Sequence, residues 1–291
     1  MVAISSRHAT FALLVTLLLI DARGADIAAA QQAQDAVFIM QADGSGVRKV
    51  AQVDGCNEHA APRWSHDGKW LAFYAVRTNG VAQQVFVVRT DGSELREIAA
   101  GAFPDWSPDD KQLVFQAPSG EGPPNIYAQN LDGQGREAIT RGFSPRWSPD
   151  GSLLAISDRR GVQLLDLVNG GETAAFDEPF RQAFVGMCWS PDSKQLAVVV
   201  RPVEGGKRQV RFVSALGAKE GMRIRVAGEM GGVVSFSPDG KRLIFGDGYL
   251  LRFVDVEGDS PAKTFPDQKG RCWHPAYSPD GKQIAFVSTR K

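Results

Sequence analysis

Short apolar runs return along this chain at a steady interval. The runs LAF, LVF, LAI, LAV, LIF and IAF each follow a polar turn of the form S-P-D-G or a near variant. Runs this brief, bounded by turn formers, predict strands buried on both faces and not helices. One step upstream of each turn's Ser stands an aromatic residue: Trp64, Trp106, Trp147, Trp189, Phe236 or Tyr277. Successive spacings are 42, 41, 42, 47 and 41 residues. A repeat of about 40–45 residues made of short strands is the signature of a four-stranded propeller blade.

A second phrase alternates with the first. VFIMQADGSGVRKV (37–50), VFVVRTDGSELREI (85–98) and IYAQNLDGQGREAI (126–139) each read as strand, D-G turn, strand, a hairpin signal. Looser copies follow at 162–175, 210–226 and 249–265. Strands A and B of a blade come from the first phrase and strands C and D from the second. The first hairpin phrase (37–50) precedes any A–B half, and the last A–B half (275–288) has no hairpin phrase after it. The expected fold is therefore all-β: a six-bladed β-propeller with four-stranded blades, closed by the N-terminal hairpin completing the C-terminal blade. Closure removes an edge that would otherwise invite aggregation.

The recurring W-S-P-D-G-K-x-L-A-F, with a strand and D-G-S after it, resembles the WSPDG repeat of TolB-like propellers. The likeness covers roughly residues 35–290. It implies a periplasmic propeller that binds an envelope protein, present here as the propeller alone, without the N-terminal α/β domain of TolB. Related repeats occur in the propellers of prolyl-oligopeptidase-like and tricorn-like peptidases, and similar ones resemble metal-dependent pectin lyases.

Composition narrows the function. The 33 basic and 33 acidic residues cancel, which argues against the basic face that nucleic acid requires. Residues 1–30 read as a secretory signal: Arg7 and His8, an apolar run from Ala9 to Ile20, then small residues. Residues 31–291 are then the propeller, a periplasmic or secreted monomer with no membrane insertion after signal cleavage. Cys56 and Cys272 lie in loops entering strand A of neighbouring blades, where a disulfide would fasten the seam in an oxidising compartment. Cys188 falls inside a strand and reads as a small buried hydrophobe.

The S-P-D-G and D-G turns share one face and are explained by turn geometry alone. The irregular B–C and D–A loops share the other, where binding residues are usually carried. The candidate partner-binding set on that loop-rich face is Glu58, His59, Phe103, Arg141, Phe143, Arg181, Phe184, Arg271, Trp273 and His274, since arginines and aromatics make protein-binding hot spots. His59, His274 and Glu58 have the donor types for a transition metal, but not a local ligand spacing. No G-x-S-x-G elbow or H-E-x-x-H helix is present. The expectation is a non-enzymatic scaffold for a cell-envelope protein or peptide, without catalytic residues, metal or cofactor. The alternative is a channel-sited metal-dependent lyase or hydrolase acting on a glycan or peptide.

Overall fold

A computed structural model describes residues 34–78, 82–176, 186–200, 208–215, 223–225, 232–258 and 260–290. Among these, every regular element is a strand, and the strands form six antiparallel four-stranded sheets. Blade 1 runs outward from Cys56–Trp64 through Trp70–Arg77 and Gln83–Arg89 to Arg96–Ala100. Blades 2 to 5 repeat this order over 102–141, 143–176, 186–225 and 234–264. The six innermost strands touch one another in a closed ring.

Blade 6 is composite. Cys272–Tyr277 and Gln283–Ser288 supply its inner half, and Ala36–Gln41 and Arg48–Ala51 its outer half. The join is in continuous register from Ala36 opposite Ser288 to Gln41 opposite Gln283. The expected ring closure is therefore formed.

The core lies between blades. Val37, Ile39 and Ala285 of blade 6 meet Leu71, Phe73 and Val88 of blade 1 in one apolar cluster. An equivalent cluster fills every other blade boundary. Strand alternation makes this possible, because each sheet is apolar on both faces. The aromatic before each turn lies at these boundaries, and three of the tryptophans also reach across them. Indole Nε1 of Trp64 donates to the Ala276 carbonyl, that of Trp106 to Arg63, and that of Trp189 to Arg146, each at 3.0 Å. Each of these indoles thus fills a gap and satisfies a backbone acceptor on the blade before it.

The turns are structural, as expected. In each, the Ser hydroxyl donates to the Asp two residues on, as in Ser107 to Asp109 at 2.7 Å, and accepts the amide five residues on, as in Gln112 at 2.9 Å. The same pair of bonds recurs at Ser65, Ser148, Ser190, Ser237 and Ser278. The fourth turn position is left-handed, and glycine holds it in four blades, as Gly151 does at φ 78°. In the two exceptions the side chain ties adjacent turns. Asp110 (φ 57°) accepts from the His66 and Asp67 amides of blade 1, at 2.8 and 2.9 Å. Ser193 (φ 60°) accepts from the Asp150 amide of blade 3 at 3.1 Å. His66, which stands where the other turns carry Pro, is what supplies the extra amide to Asp110.

These bonds favour the ionised turn aspartates. Hydrogen bonds from Ser107 and Lys111 hold the Asp109 carboxyl below its usual range, and Asp150, Asp192, Asp239 and Asp280 are lowered in the same way, each first by its own serine. A folded-state pKa below the unfolded one gives a contribution present above the unfolded pKa, near ~4, and lost as pH falls through the folded value. Urea midpoints are expected to be flat from about pH 7 to 5 and to fall below about pH 4. A triple variant, Ser107→Ala with Ser148→Ala and Ser190→Ala, removes the leading cause at three turns. Its midpoint should be lower near neutral pH and its acid limb shallower.

Candidate functional site

Four inner strands carry Pro two residues before the aromatic: Pro62, Pro104, Pro145 and Pro275. Proline has no amide to donate, so an inner strand must bulge where it sits. Pairing shifts register between Ala60 and Arg63, Ala102 and Asp105, Phe143 and Arg146, and Trp273 and Ala276. The residue before each proline is left-handed: Ala61, Phe103, Ser144 and His274 have φ of 49° to 54°. Such strain is held only where surroundings fix it. Here displaced amides bond across blades, Ser144 to Gln116 Oε1 at 2.8 Å and Ala61 to His274 Nδ1 at 3.3 Å. Blades 4 and 5 lack the proline and pair without a shift.

In five blades the residue just before the aromatic lines one cavity, whether or not its strand bulges. Arg63, Asp105, Arg146, Cys188 and Ser235 line a cavity of about 170 Å³ against the inner wall. Arg63 and Arg146 are only 8% and 4% exposed. Arg146 Nη1 donates to the Pro145 carbonyl at 2.7 Å, but its Nε has no partner, and neither do Nε and Nη2 of Arg63. Asp105 is the carboxylate of this layer, and its Oδ2 accepts from the Trp147 amide at 2.9 Å. Burial, then the charge of Arg63, brings Arg146 down to about 9. Burial pushes the Cys188 thiol up to about 12, so it stays protonated despite both arginines. His274 falls to about 4 through burial and the charge of Arg63, and is neutral at pH 7. The signal for this layer is present in PRW, PDW and PRW, since alternation points the middle residue away from the aromatic plug. Reasoning weighted toward irregular loops misses it.

The loop-face candidates divide. Glu58, Arg141 and Arg271 are exposed, while Phe103, Phe143, Trp273 and His274 are partly covered. Although exposed at its tip, the Glu58 carboxyl is raised by desolvation from the surrounding protein and then by the charge of Asp35. Phe103 leans on Tyr74 with ring centroids 5.0 Å apart, and burial raises the Tyr74 phenol. Arg181 and Phe184 lie outside the described residues. His59 is no surface residue: it is wholly buried. Its Nε2 accepts the Val53 amide at 2.9 Å, so Nδ1 carries the proton and donates to Asp35 Oδ1 at 2.7 Å. Both ring nitrogens are used, which removes it from any metal set with Glu58 and His274. Among the described residues, no group of three or more His, Cys, Asp or Glu is placed to hold a metal ion.

The expected disulfide is not formed. Cys56 and Cys272 are free and buried. Cys56 belongs to the cluster between blades 6 and 1, and Cys272 to the cluster between blades 5 and 6. The blade 6 sheet stands between them, and Cys272 Sγ instead meets Ser288 Oγ at 3.4 Å.

One loop residue lies outside the sequence-derived set. Tyr249, in the B–C loop of blade 5, is 68% exposed, and the Arg271 guanidinium sits 5.2 Å from its ring centre. Arg271 Nε donates to the Gly248 carbonyl at 3.1 Å, and Trp273 packs on Gly246, where a Cβ would come within 2.8 Å of the Trp273 Cα. Tyr249 is the one exposed aromatic among the described residues.

The family model described as the TolB beta propeller domain matches residues 23–174, just over half of the chain. The structure of a putative TolB from Agrobacterium tumefaciens superposes with TM-score 0.66 at 19% identity, covering 88% of this chain and 98% of that one. TolB from Acinetobacter baumannii gives 0.61 at 20%, covering 87% and 63%. Identities this low establish the fold alone. An uncharacterized peptidase of Bacillus subtilis, YuxL, is 38% identical over 65 residues, 21% of this chain, and the match spans only 10% of that relative's length.

Proposed function

Because the chain belongs to the TolB β-propeller family, we propose that it is an exported, non-enzymatic scaffold that binds a cell-envelope protein or peptide at its loop-rich face. Residues 1–30 serve as the export signal in this reading, and 31–291 as the working propeller. Among the described residues, no helix is long and apolar enough to cross a membrane.

The observation that carries the reading is the Tyr249–Arg271–Trp273 group. Tyr249 is 68% exposed, which leaves most of its ring open to a partner. Stacking under Arg271 holds both side chains in place before any partner arrives, which lowers the ordering cost of binding. Tyr, Trp and Arg are the residue types on which interface energy concentrates.

The test is capture from cell-envelope extract followed by affinity measurement on the captured protein. Tyr249→Ala with Arg271→Ala is expected to weaken binding by about 30-fold or more, a hot-spot loss of about 2 kcal/mol. Lys69→Ala, on the turn-bearing face, should leave it unchanged. Equal loss in both variants would remove the loop face from the proposal.

A further inference from the structure

We propose that the cavity between Arg63 and Arg146 is a binding site for a single carboxylate group, entered from the turn-bearing face. Three observations converge. The first is the orphaned donors: Nε and Nη2 of Arg63 and Nε of Arg146 are buried without partners, in side chains more than nine-tenths buried. Burying a guanidinium is costly unless it is paired and hydrogen-bonded, and here two share one wall. A carboxylate entering the cavity would reach these donors after a small rotation of either guanidinium, and the planar guanidinium fork matches carboxylate geometry.

The second is charge. Arg63 and Arg146 contribute two positive charges to the wall and Asp105 one negative. His274 is neutral, and so is the Cys188 thiol. At the rim His66 is already paired with Asp110 at 2.9 Å. The remaining single positive charge matches a carboxylate better than a phosphate, which carries ~1.5 to 2 negative charges at neutral pH.

The third is size and access. A volume of about 170 Å³ is below the ~300–1,000 Å³ of sites that enclose a whole small molecule. It suits one acidic head group whose remainder stays outside. His66, Pro149 and Pro191 border the cavity, and all three belong to S-P-D-G-type turns. The site is therefore on the face opposite Tyr249, and its fate is independent of the loop-face reading.

The purified full chain would be titrated with acetate, with an amidated tetrapeptide carrying one Asp, and with the Asn analogue of that peptide, against sodium chloride at matched ionic strength. A saturable rise in Tm of roughly 5–10 °C at a hundredfold excess over Kd is expected with a carboxylate ligand and not with chloride or the Asn peptide. A response to acetate assigns a free small carboxylate, and a response to the Asp peptide alone assigns an acidic side chain of a larger ligand. Arg63→Met removes an unpaired buried charge, should fold at least as well, and should abolish the response. Arg146→Lys keeps the charge without the fork and should weaken it about tenfold or more. Tyr249→Ala with Arg271→Ala should leave it intact. Responses no larger than that of chloride, or unchanged in Arg63→Met, would overturn the proposal.

Discussion

Trp106→Ala is expected to lower the free energy of unfolding by about 3–5 kcal/mol, the usual range for emptying a fully buried aromatic position. Trp106 is 1% exposed and packs between blades 1 and 2 with Leu113, Phe115 and Val85. Two effects add. The cavity left behind is lined by β-sheet on both sides, which cannot collapse into it. The Arg63 carbonyl also loses its indole donor at 3.0 Å, worth about 1 kcal/mol or more when a buried acceptor goes unpaired. Trp106→Phe separates the two, retaining most of the packing and losing the bond, and should cost less than half as much as Ala. Equilibrium denaturation with both variants reads the difference directly. A Trp106→Ala loss below about 1 kcal/mol would mean the blades are not held by these plugs.

Asp35→Ala is the second large expectation, at about 3 kcal/mol. The Asp35 carboxylate accepts both the amide and Nδ1–H of His59, at 2.8 and 2.7 Å, and hydrogen bonds to a charged group are worth about 1.5–3 kcal/mol each. Removing it leaves a wholly buried imidazole with an unpaired N–H. The pair also crosses the boundary between blades 6 and 1, from the residue before Ala36–Gln41 to the inner strand of blade 1. Asp35→Asn keeps an acceptor and should recover part of the loss. If Asp35→Ala matches the wild type in denaturant midpoint, that boundary is held by its apolar cluster alone.

Much of the fold is legible in the sequence because the repeat is both a turn code and a packing code. Ser, Pro, Asp and Gly fix a turn locally, and the aromatic beside Ser is large enough to fill a blade boundary wherever it occurs. The strand end at Trp147 and the whole of Leu153–Ser157 follow directly from PRWSPDGSLLAIS. The candidate site is less legible, because it depends on side-chain direction. Cys56 and Cys272 are close in the blade order but face opposite sides of one sheet, which loop position cannot reveal. His59 reads as a loop residue because the long inner strand Cys56–Trp64 begins earlier than its sister strands do relative to the aromatic. Tyr249 is hidden by its apolar neighbours in YLLRFV, which read as one continuous strand although pairing begins at Leu251.

In the composite blade, Ala36–Gln41 pairs with Gln283–Ser288 across the whole intervening length of the other five blades. Its partner strand is translated only after those five blades, and the circle cannot shut until it arrives. Contacts this far apart in sequence raise the contact order, so closure of the seam is expected to come late and slowly. Until that step the early hairpin is an open edge, and the interval before closure is when a chaperone would have most to hold.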